Sequence, residues 1–249
     1  MAPSSSPTVQ TCHDCGGGAP VDVHFCPQCT KILTLGRHGN YFSFLGVPRR
    51  LTLDPALLEQ RFRALSRQFH PDFFYNAAPA ERRASLERSS YLNDAYRTLK
   101  QPVSRIAYLL EMEGSLSAAD RGAHGASSLV PPSLLEEVFE LNEEVDQVRD
   151  LRNAGAPVAE WQARLERAAA PIETKRVEHE RQLEALSAKW DAVADRDASD
   201  PERRAVLAAL RDRVLERNYI HNLLATVERE LSCAGPLAPD SVARLAPEA

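Results

Sequence analysis

Residues 54–100 read DPALLEQRFRALSRQFHPDFFYNAAPAERRASLERSSYLNDAYRTLK, and this stretch decides the fold. Leu58, Phe62, Leu65 and Phe69 recur at helical spacing, so Asp54 to Phe69 is expected as an amphipathic helix about 24 Å long. Arg63 and Arg67, four apart, project from its opposite face, with Arg61 on the flank nearer the core. Pro71 stops the helix, because proline lacks an amide donor and disfavours helical geometry in the residue before it. A second amphipathic helix starts after Ala78-Pro79 and runs to about Lys100. Its core face is expected to carry Leu86, Leu92 or Asn93, Ala95, Tyr96 and Leu99. Two antiparallel helices joined at Pro71 make a hairpin, and Tyr41, Phe42, Phe44 and Leu45 supply a short element to pack on it.

Upstream, Cys12-x2-Cys15 and Cys26-x2-Cys29 lie ten residues apart, with Gly16, Gly17 and Gly18 between them. Each pair presents two sulfurs from one tight turn, and two such turns make a closed four-sulfur site. Structural zinc is the expected occupant of Cys12, Cys15, Cys26 and Cys29, since it favours full cysteine coordination with no open position. His13 and His24 stand nearby as alternative ligands, and Cys233 lies apart from the cluster. A tight four-cysteine cluster fits a reduced compartment better than a disulfide framework.

Downstream, the Ser-, Ala- and Gly-rich stretch from Gly114 to Pro132 reads as a linker. Leu134, Val138, Leu141, Val145 and Val148 then alternate at four and three residues, the core stripe of a helix. Leu135 and Phe139 fall roughly 100–140° away from that stripe, at about 100° per residue. They share their side with Glu136, Glu143 and Asp146. An apolar pair among acids, off the core face, is a candidate partner surface; the alternative is that a third helix wraps round and covers it.

A helix from about Pro157 to Ala194 carries Trp161, Leu165, Ile172, Leu183, Leu186 and Trp190, and Pro171 is expected to kink or divide it. A last helix from about Glu202 to Ser232 carries Leu207, Leu210, Val214, Ile220, Leu224, Val227 and Leu231, with Asp200 before Pro201 as its start signal. Tyr219 sits to one side of that stripe. The class is therefore all-α, ending in an antiparallel three-helix bundle.

The division expected is a disordered segment 1–11, a zinc-binding module 12–38, the hairpin domain 39–113, a linker 114–132, the bundle 133–233 and a frayed end 234–249. A net charge of −5 with only four Lys and no basic block argues against a nucleic-acid partner. No apolar run reaches the roughly 18 residues needed to cross a membrane. The first ten residues hold no Arg or Lys, unlike a secretory or mitochondrial leader, so a bacterial-type cytoplasm is expected. There is no Ser-His-Asp ordering with motif support, no phosphate loop and no open metal position, so no enzyme is expected.

Three segments taken together resemble a J-domain: Tyr41-Phe42-Ser43-Phe44-Leu45-Gly46-Val47, Phe69-His70-Pro71-Asp72-Phe73 and Leu92-Asn93-Asp94-Ala95-Tyr96-Arg97-Thr98-Leu99. That resemblance implies that His70, Pro71 and Asp72 form the loop that signals to a DnaK-type chaperone ATPase, with Asp72 meeting a chaperone arginine. It also implies that Arg63 and Arg67 contact an acidic surface of that partner. Phe73 stands where many J-domains carry Lys or Arg, which implies a changed local contact.

A J-domain running into a three-helix bundle is similar to the HscB family of iron–sulfur co-chaperones. So are Glu140-Leu141-Asn142-Glu143-Glu144-Val145 and Gln101-Pro102-Val103-Ser104-Arg105-Ile106-Ala107-Tyr108-Leu109-Leu110. The double CxxC resembles the zinc module of the family's eukaryotic branch and some bacterial members. The resemblance implies a DnaK/HscA-type chaperone and an IscU-type scaffold as partners, the scaffold meeting Leu135, Phe139, Glu140, Glu143 and Tyr219. Glu136 stands where an apolar residue is common in the family, and Gln147 where an acid is common. The rival reading is a general J-protein that presents other clients. A zinc-ribbon nucleic-acid adaptor is disfavoured because no Lys or Arg lies between Cys12 and Cys29.

Overall fold

A computed structural model describes residues 9–35, 40–117 and 132–232. The expected linker lies mostly outside these residues, as do the frayed end, the first eight residues and 36–39. The described residues hold seven α-helices and one two-stranded sheet. None of these helices is long and apolar enough to cross a membrane. The chain divides into two compact units: residues 1–116 with 186–211, and residues 117–185 with 212–249.

In the first unit β1 (Val9–Thr11) pairs antiparallel with β2 (Gly18–Pro20), Val9 opposite Pro20. Val9–Thr11 are thus a strand and not part of the disordered segment expected for 1–11. Pairing with Gly18–Pro20 closes the loop that carries the first two cysteines and satisfies backbone groups on both arms.

Helix α1 (Tyr41–Leu45) opens on a capping box in which Asn40 and Ser43 each receive the other's amide, at 3.0 and 3.1 Å. It closes on Gly46 at φ 63°, a left-handed position where a side chain would be strained. Helix α2 (Pro55–Phe69) starts on Asp54, whose carboxylate accepts the Ala56 amide at 2.9 Å, with Pro55 at the first position. A 3-10 turn, Pro71–Phe74, separates it from α3 (Pro79–Lys100), and α4 (Pro102–Met112) follows.

The hairpin packs as its spacing indicates, with one change of phase on α3. Glu81, Ser85, Arg88, Leu92, Ala95 and Leu99 form the buried stripe, whereas Leu86 is 58% exposed. Leu86 lies about 120° from the Leu92 direction at 100° per residue, so it cannot share that face. Asn93 is exposed, and Tyr96 is half-buried, stacking on Phe62 with ring centroids 4.1 Å apart. Trp190, from residues 186–211 of the same unit, is fully buried under the Arg203 guanidinium, 5.1 Å from its ring. Asp191 accepts the amides of Leu51 and Thr52 at 2.7 and 2.8 Å, and its carbonyl accepts from Arg50. The loop that leads into α2 is thereby fixed.

The second unit is built on α5 (Leu135–Asn153) and on parts of α6 (Val158–Val193) and α7 (Pro201–Ser232). Its core holds Leu134, Leu141, Val145, Val148, Trp161, Leu165, Ile172, Ile220, Leu223 and Val227. Val138, Leu224 and Leu231 are only partly buried against it, and Leu223 takes a position expected of Leu224. Pro171 does not divide α6, which runs unbroken from Val158 to Val193. Proline inside a helix costs about 3 kcal/mol; here Pro171 faces solvent while Ile172 beside it is buried, and that packing outweighs the lost bond. Asp200 caps α7 as expected, accepting the Glu202 and Arg203 amides at 2.9 and 3.0 Å.

Charge also joins the bundle helices. Glu230 on α7 receives Arg149 and Arg152 of α5 at 2.7 and 2.8 Å, and Glu144 of α5 receives Arg164 of α6 at 2.9 Å. Glu216 of α7 receives Arg213 and Ser133. Its other neighbour is the buried His179 of α6, whose Nε2 lies 3.5 Å from the carboxylate. Arg176, Glu180, Arg217, Ile220 and His221 line a small cavity with that imidazole.

Burial first, with Arg213 and Arg217 adding to it, outweighs the opposing pull of Glu216 and holds the His179 imidazole below its ordinary range. Below about pH 6.5 the unfolded chain takes up a proton that the folded chain refuses, so the stability present above that pH is lost as pH falls. Melting curves from pH 7 to 5.5 should therefore fall less steeply for His179→Gln than for the parent, by on the order of 1 kcal/mol. Parallel curves would show that His179 is not the group responsible.

Candidate functional site

The four cysteines converge: all their sulfurs lie within 4.8 Å of one another. Cys12 Sγ is 3.6 Å from Cys29 Sγ, and Cys15 Sγ is 3.7 Å from Cys26 Sγ. A tetrahedron with metal–sulfur bonds of about 2.3 Å has edges of about 3.8 Å, so these separations fit one ion held by four thiolates.

The backbone repeats itself to achieve this. The Cys12 amide bonds the Gly17 carbonyl at 2.8 Å, and the Cys26 amide bonds the Lys31 carbonyl at 2.8 Å. The Gly16 amide bonds the Cys12 carbonyl at 3.0 Å, and the Thr30 amide bonds the Cys26 carbonyl at 2.9 Å. Each turn ends left-handed just after its second cysteine, at Gly16 (φ 70°) and at Thr30 (φ 61°). Glycine takes that conformation freely; threonine there is strained.

Amides of Cys29 and Gln28 bring the Cys26 thiol down to about 7. At Cys29 the Lys31 amide has the opposite effect from burial and the three other sulfurs, which win and push the thiol up to about 12. Four thiolates so close together need a cation to coexist, and binding one releases their protons.

The module seats on the helical hairpin through side chains whose importance was not apparent in the sequence. Arg88 of α3, 2% exposed, donates from Nε to the Leu33 carbonyl at 2.7 Å and from Nη2 to the Thr34 carbonyl at 3.1 Å. Its Nη1 donates to His24 Nδ1 at 2.8 Å; arginine cannot accept, so the His24 proton sits on Nε2 and donates to the Phe44 carbonyl at 3.2 Å. The His24 ring meets Phe44 and Phe69 edge-on, with centroids 4.8 and 5.0 Å apart. Burial first, then the Arg88 charge, brings this imidazole down to about 4, so it stays neutral. Lys31 pairs with Glu81 at 3.1 Å beside it. His24 is thus a docking residue and not the alternative ligand that its position in the sequence suggests. The available signal was the placement of Arg88 on the α3 core stripe, where a charge needs partners.

The second group lies where α2 ends. Phe69 is fully buried and its carbonyl accepts Ser85 Oγ at 2.7 Å and Ser89 Oγ at 2.9 Å. His70 and Asp72 are exposed, with His70 Nδ1 3.5 Å from the Asp72 carboxylate, and Pro71 is partly exposed. The Asp72 amide lies 3.4 Å from His70 Nδ1, a weak bond, and the Phe73 amide bonds the His70 carbonyl at 3.0 Å. Two polar side chains are therefore presented to solvent on a short rigid turn. Arg63 and Arg67 are exposed on the same helix, and Arg63 meets Glu59 at 2.5 Å. Arg61, placed nearer the core by its spacing, is exposed as well. Phe73 is 74% exposed.

The third group is on α5. Leu135 is 42% and Phe139 72% exposed, flanked by exposed Glu136, Glu140 and Glu143, so among the described residues no helix of this unit covers them. Gln147 reaches Glu143 at 3.4 Å. Tyr219 on α7 is partly buried against the bundle core and offers only part of its surface. The start of α5 has no side-chain cap of its own; Lys175 of α6 binds the Ser133 carbonyl and Glu137 there.

No family model matches the chain. It is 32% identical over 161 residues to a co-chaperone protein HscB homolog of Vibrio vulnificus, covering 63% of this chain and 86% of that one. It is 39% identical over 109 residues to the co-chaperone protein HscB homolog of Vibrio cholerae, a match of 44% of this chain that spans 61% of the relative. Among solved structures, human co-chaperone protein HscB superposes with a TM-score of 0.62 at 24% identity, over 89% of this chain and 98% of that one. Chaperone HscB from Vibrio cholerae does so with a TM-score of 0.52 at 29% identity, over 76% and 96%.

Proposed function

The chain belongs to the HscB co-chaperone family, and from that premise we propose that it is a non-catalytic adaptor between a DnaK/HscA-type chaperone ATPase and an IscU-type scaffold on which iron–sulfur clusters are built. The bundle binds the scaffold, the turn at His70–Asp72 signals to the chaperone, and cluster transfer is promoted by joining the two. The observation that carries this reading is the pair of exposed groups, each presented by a helix whose opposite face is firmly packed.

At the turn, Pro71 fixes the backbone while His70 and Asp72 project into solvent, so contact with the chaperone needs little further ordering. Arg63 and Arg67 add a positive surface that steers an acidic partner and speeds encounter. On α5, Leu135 and Phe139 supply apolar anchors, Glu140 and Glu143 surround them, and Tyr219 contributes its exposed edge. Cys12, Cys15, Cys26 and Cys29 hold zinc, whose role is structural: a closed four-sulfur shell leaves no position for a reactant.

The reading is tested by mixing the chain with an ATP-loaded chaperone and a scaffold and sizing the products. A complex containing all three supports it, and two mutually exclusive binary complexes would sink it. Phe139→Ala should weaken scaffold binding in calorimetry at least tenfold, as a central aromatic anchor does. Its melting temperature should not move, since the ring is mostly in water. Unchanged affinity would remove α5 from the interface. A chaperone stimulated equally with and without scaffold would favour a general J-protein.

A further inference from the structure

The cysteine module and the signalling turn meet at one residue. Phe69 closes α2, immediately before His70. Its ring lies against His24, which precedes Cys26 by two residues, and 6.1 Å from the ring of Phe25, which precedes it by one. On the far side of the same cysteine turn, Leu33 and Thr34 offer their carbonyls to Arg88. The Leu33 amide bonds the His24 carbonyl at 3.0 Å, so both flanks of the Cys26–Cys29 turn move as one strip. Arg88 also lies 5.8 Å from the centre of the Phe69 ring. From the α3 side, Ser85 and Ser89 hold the Phe69 carbonyl. Phe69 is thus held by the module on one side and by α3 on the other.

We propose that Arg88, with His24, is a positioning residue through which metal occupancy of the cysteine cluster sets the order of the turn Phe69–Phe74, and hence its fitness for the chaperone. With metal bound, the Cys26–Cys29 turn is closed, His24 and the carbonyls of Leu33 and Thr34 are presented together, and Arg88 locks them over Phe69. Without metal the strip has no fixed shape, Arg88 loses its three acceptors, and Phe69 loses one wall of its pocket. The turn that begins one residue later is then free to fray. Coupling of this kind is reciprocal: whatever prefers the ordered turn must also tighten the metal.

Two measurements on the full chain test this, and only the second rests on the co-chaperone reading. In the first, amide exchange is followed with zinc bound and after chelation. The amides of residues 69, 70 and 72–75 should exchange at least tenfold faster without zinc, while those at the centre of α5 do not change. Arg88→Lys keeps the charge but not the three-way fork. Zinc-loaded, it should already show faster exchange at the turn, and chelation should add little.

Asp191→Asn, which loosens the same unit at the Leu51–Thr52 contact far from the module in sequence, is the control and should retain the full effect of chelation. Unchanged exchange at the turn on chelation would overturn the proposal. So would loss of the effect in Asp191→Asn as complete as in Arg88→Lys, because general loosening would then explain it.

In the second measurement, zinc affinity is read by competition with a chromogenic chelator, with and without ATP-loaded chaperone. Chaperone should raise the affinity at least threefold in the parent and not in Arg88→Lys. A chaperone whose ATPase responds to the chain yet leaves zinc affinity unchanged would overturn the coupling. A chaperone that does not respond at all would refute the co-chaperone reading instead, and the exchange result alone would then decide the role of Arg88.

Discussion

The His70→Gln chain is expected to fold and to bind the scaffold as the parent does, yet to leave the chaperone's ATP hydrolysis at its basal rate. His70 contributes little to the fold: it is exposed, its contact with the Asp72 amide is long, its Nδ1 lies 3.5 Å from the likewise exposed Asp72 carboxylate, and its ring lies 6.0 Å from that of Phe73. Substitution at such a site changes stability by no more than about 0.5 kcal/mol. Glutamine keeps polarity but loses the ring, and with it a rigid side chain projecting from a proline-fixed turn. A partner that reads shape at that turn loses a central contact, and such contacts contribute about 2 kcal/mol or more. The measurement is steady-state phosphate release at saturating co-chaperone, alongside a melting curve. Full stimulation by His70→Gln would separate the turn from the chaperone; a collapsed melting curve would show that the residue serves the fold.

Loss of the metal should have the largest effect on stability. A structural zinc ion contributes on the order of 10 kcal/mol to a segment too small to fold alone. Cys26→Ser removes a sulfur that is fully buried and whose backbone anchors the second turn. The variant should retain less than one zinc per chain, and residues 9–35 should lose amide protection. The cost reaches the hairpin as well. Arg88 loses the Leu33 and Thr34 carbonyls and His24 as acceptors, and hydrogen bonds of a charged group contribute about 1.5–3 kcal/mol each. The first unit should therefore melt well below the parent. Retention of a full equivalent of zinc, or of the parent melting curve, would contradict this.

The sequence made the hairpin and the bundle legible because both bury apolar stripes at helical period, and periodicity survives small errors of phase. Leu58, Phe69, Leu92 and Leu99 are buried on the hairpin as their spacing requires, and Leu134, Leu141, Val145 and Val148 on α5. Leu86 is apolar but out of register with the stripe, which passes through Ser85 and Arg88. The exposure of Leu135 and Phe139 could be read from phase alone. Phase points to exposure for Tyr219 too, yet it is partly buried against the bundle core.

Polar connectors between elements were the least visible features. Asp191 looks like an ordinary surface charge in a chain with 26% charged residues, His24 reads as an alternative ligand of the cysteine site, and only its place on the α3 stripe marks Arg88. Their roles depend on partners 20 to 141 residues away along the chain, from the His24–Phe44 bond to the Arg50–Asp191 bond. No local pattern encodes such distances. Pro171 shows the opposite failure: a strong local rule gave way to packing around it.

The most direct measurement is ATP hydrolysis by a DnaK/HscA-type chaperone with this chain and an IscU-type scaffold added separately and together. The expected result is a rate with both that exceeds the product of their separate stimulations, and that returns to the separate values with Phe139→Ala. Stimulation by the chain alone, unchanged when scaffold is present, would contradict the adaptor and leave only a J-protein.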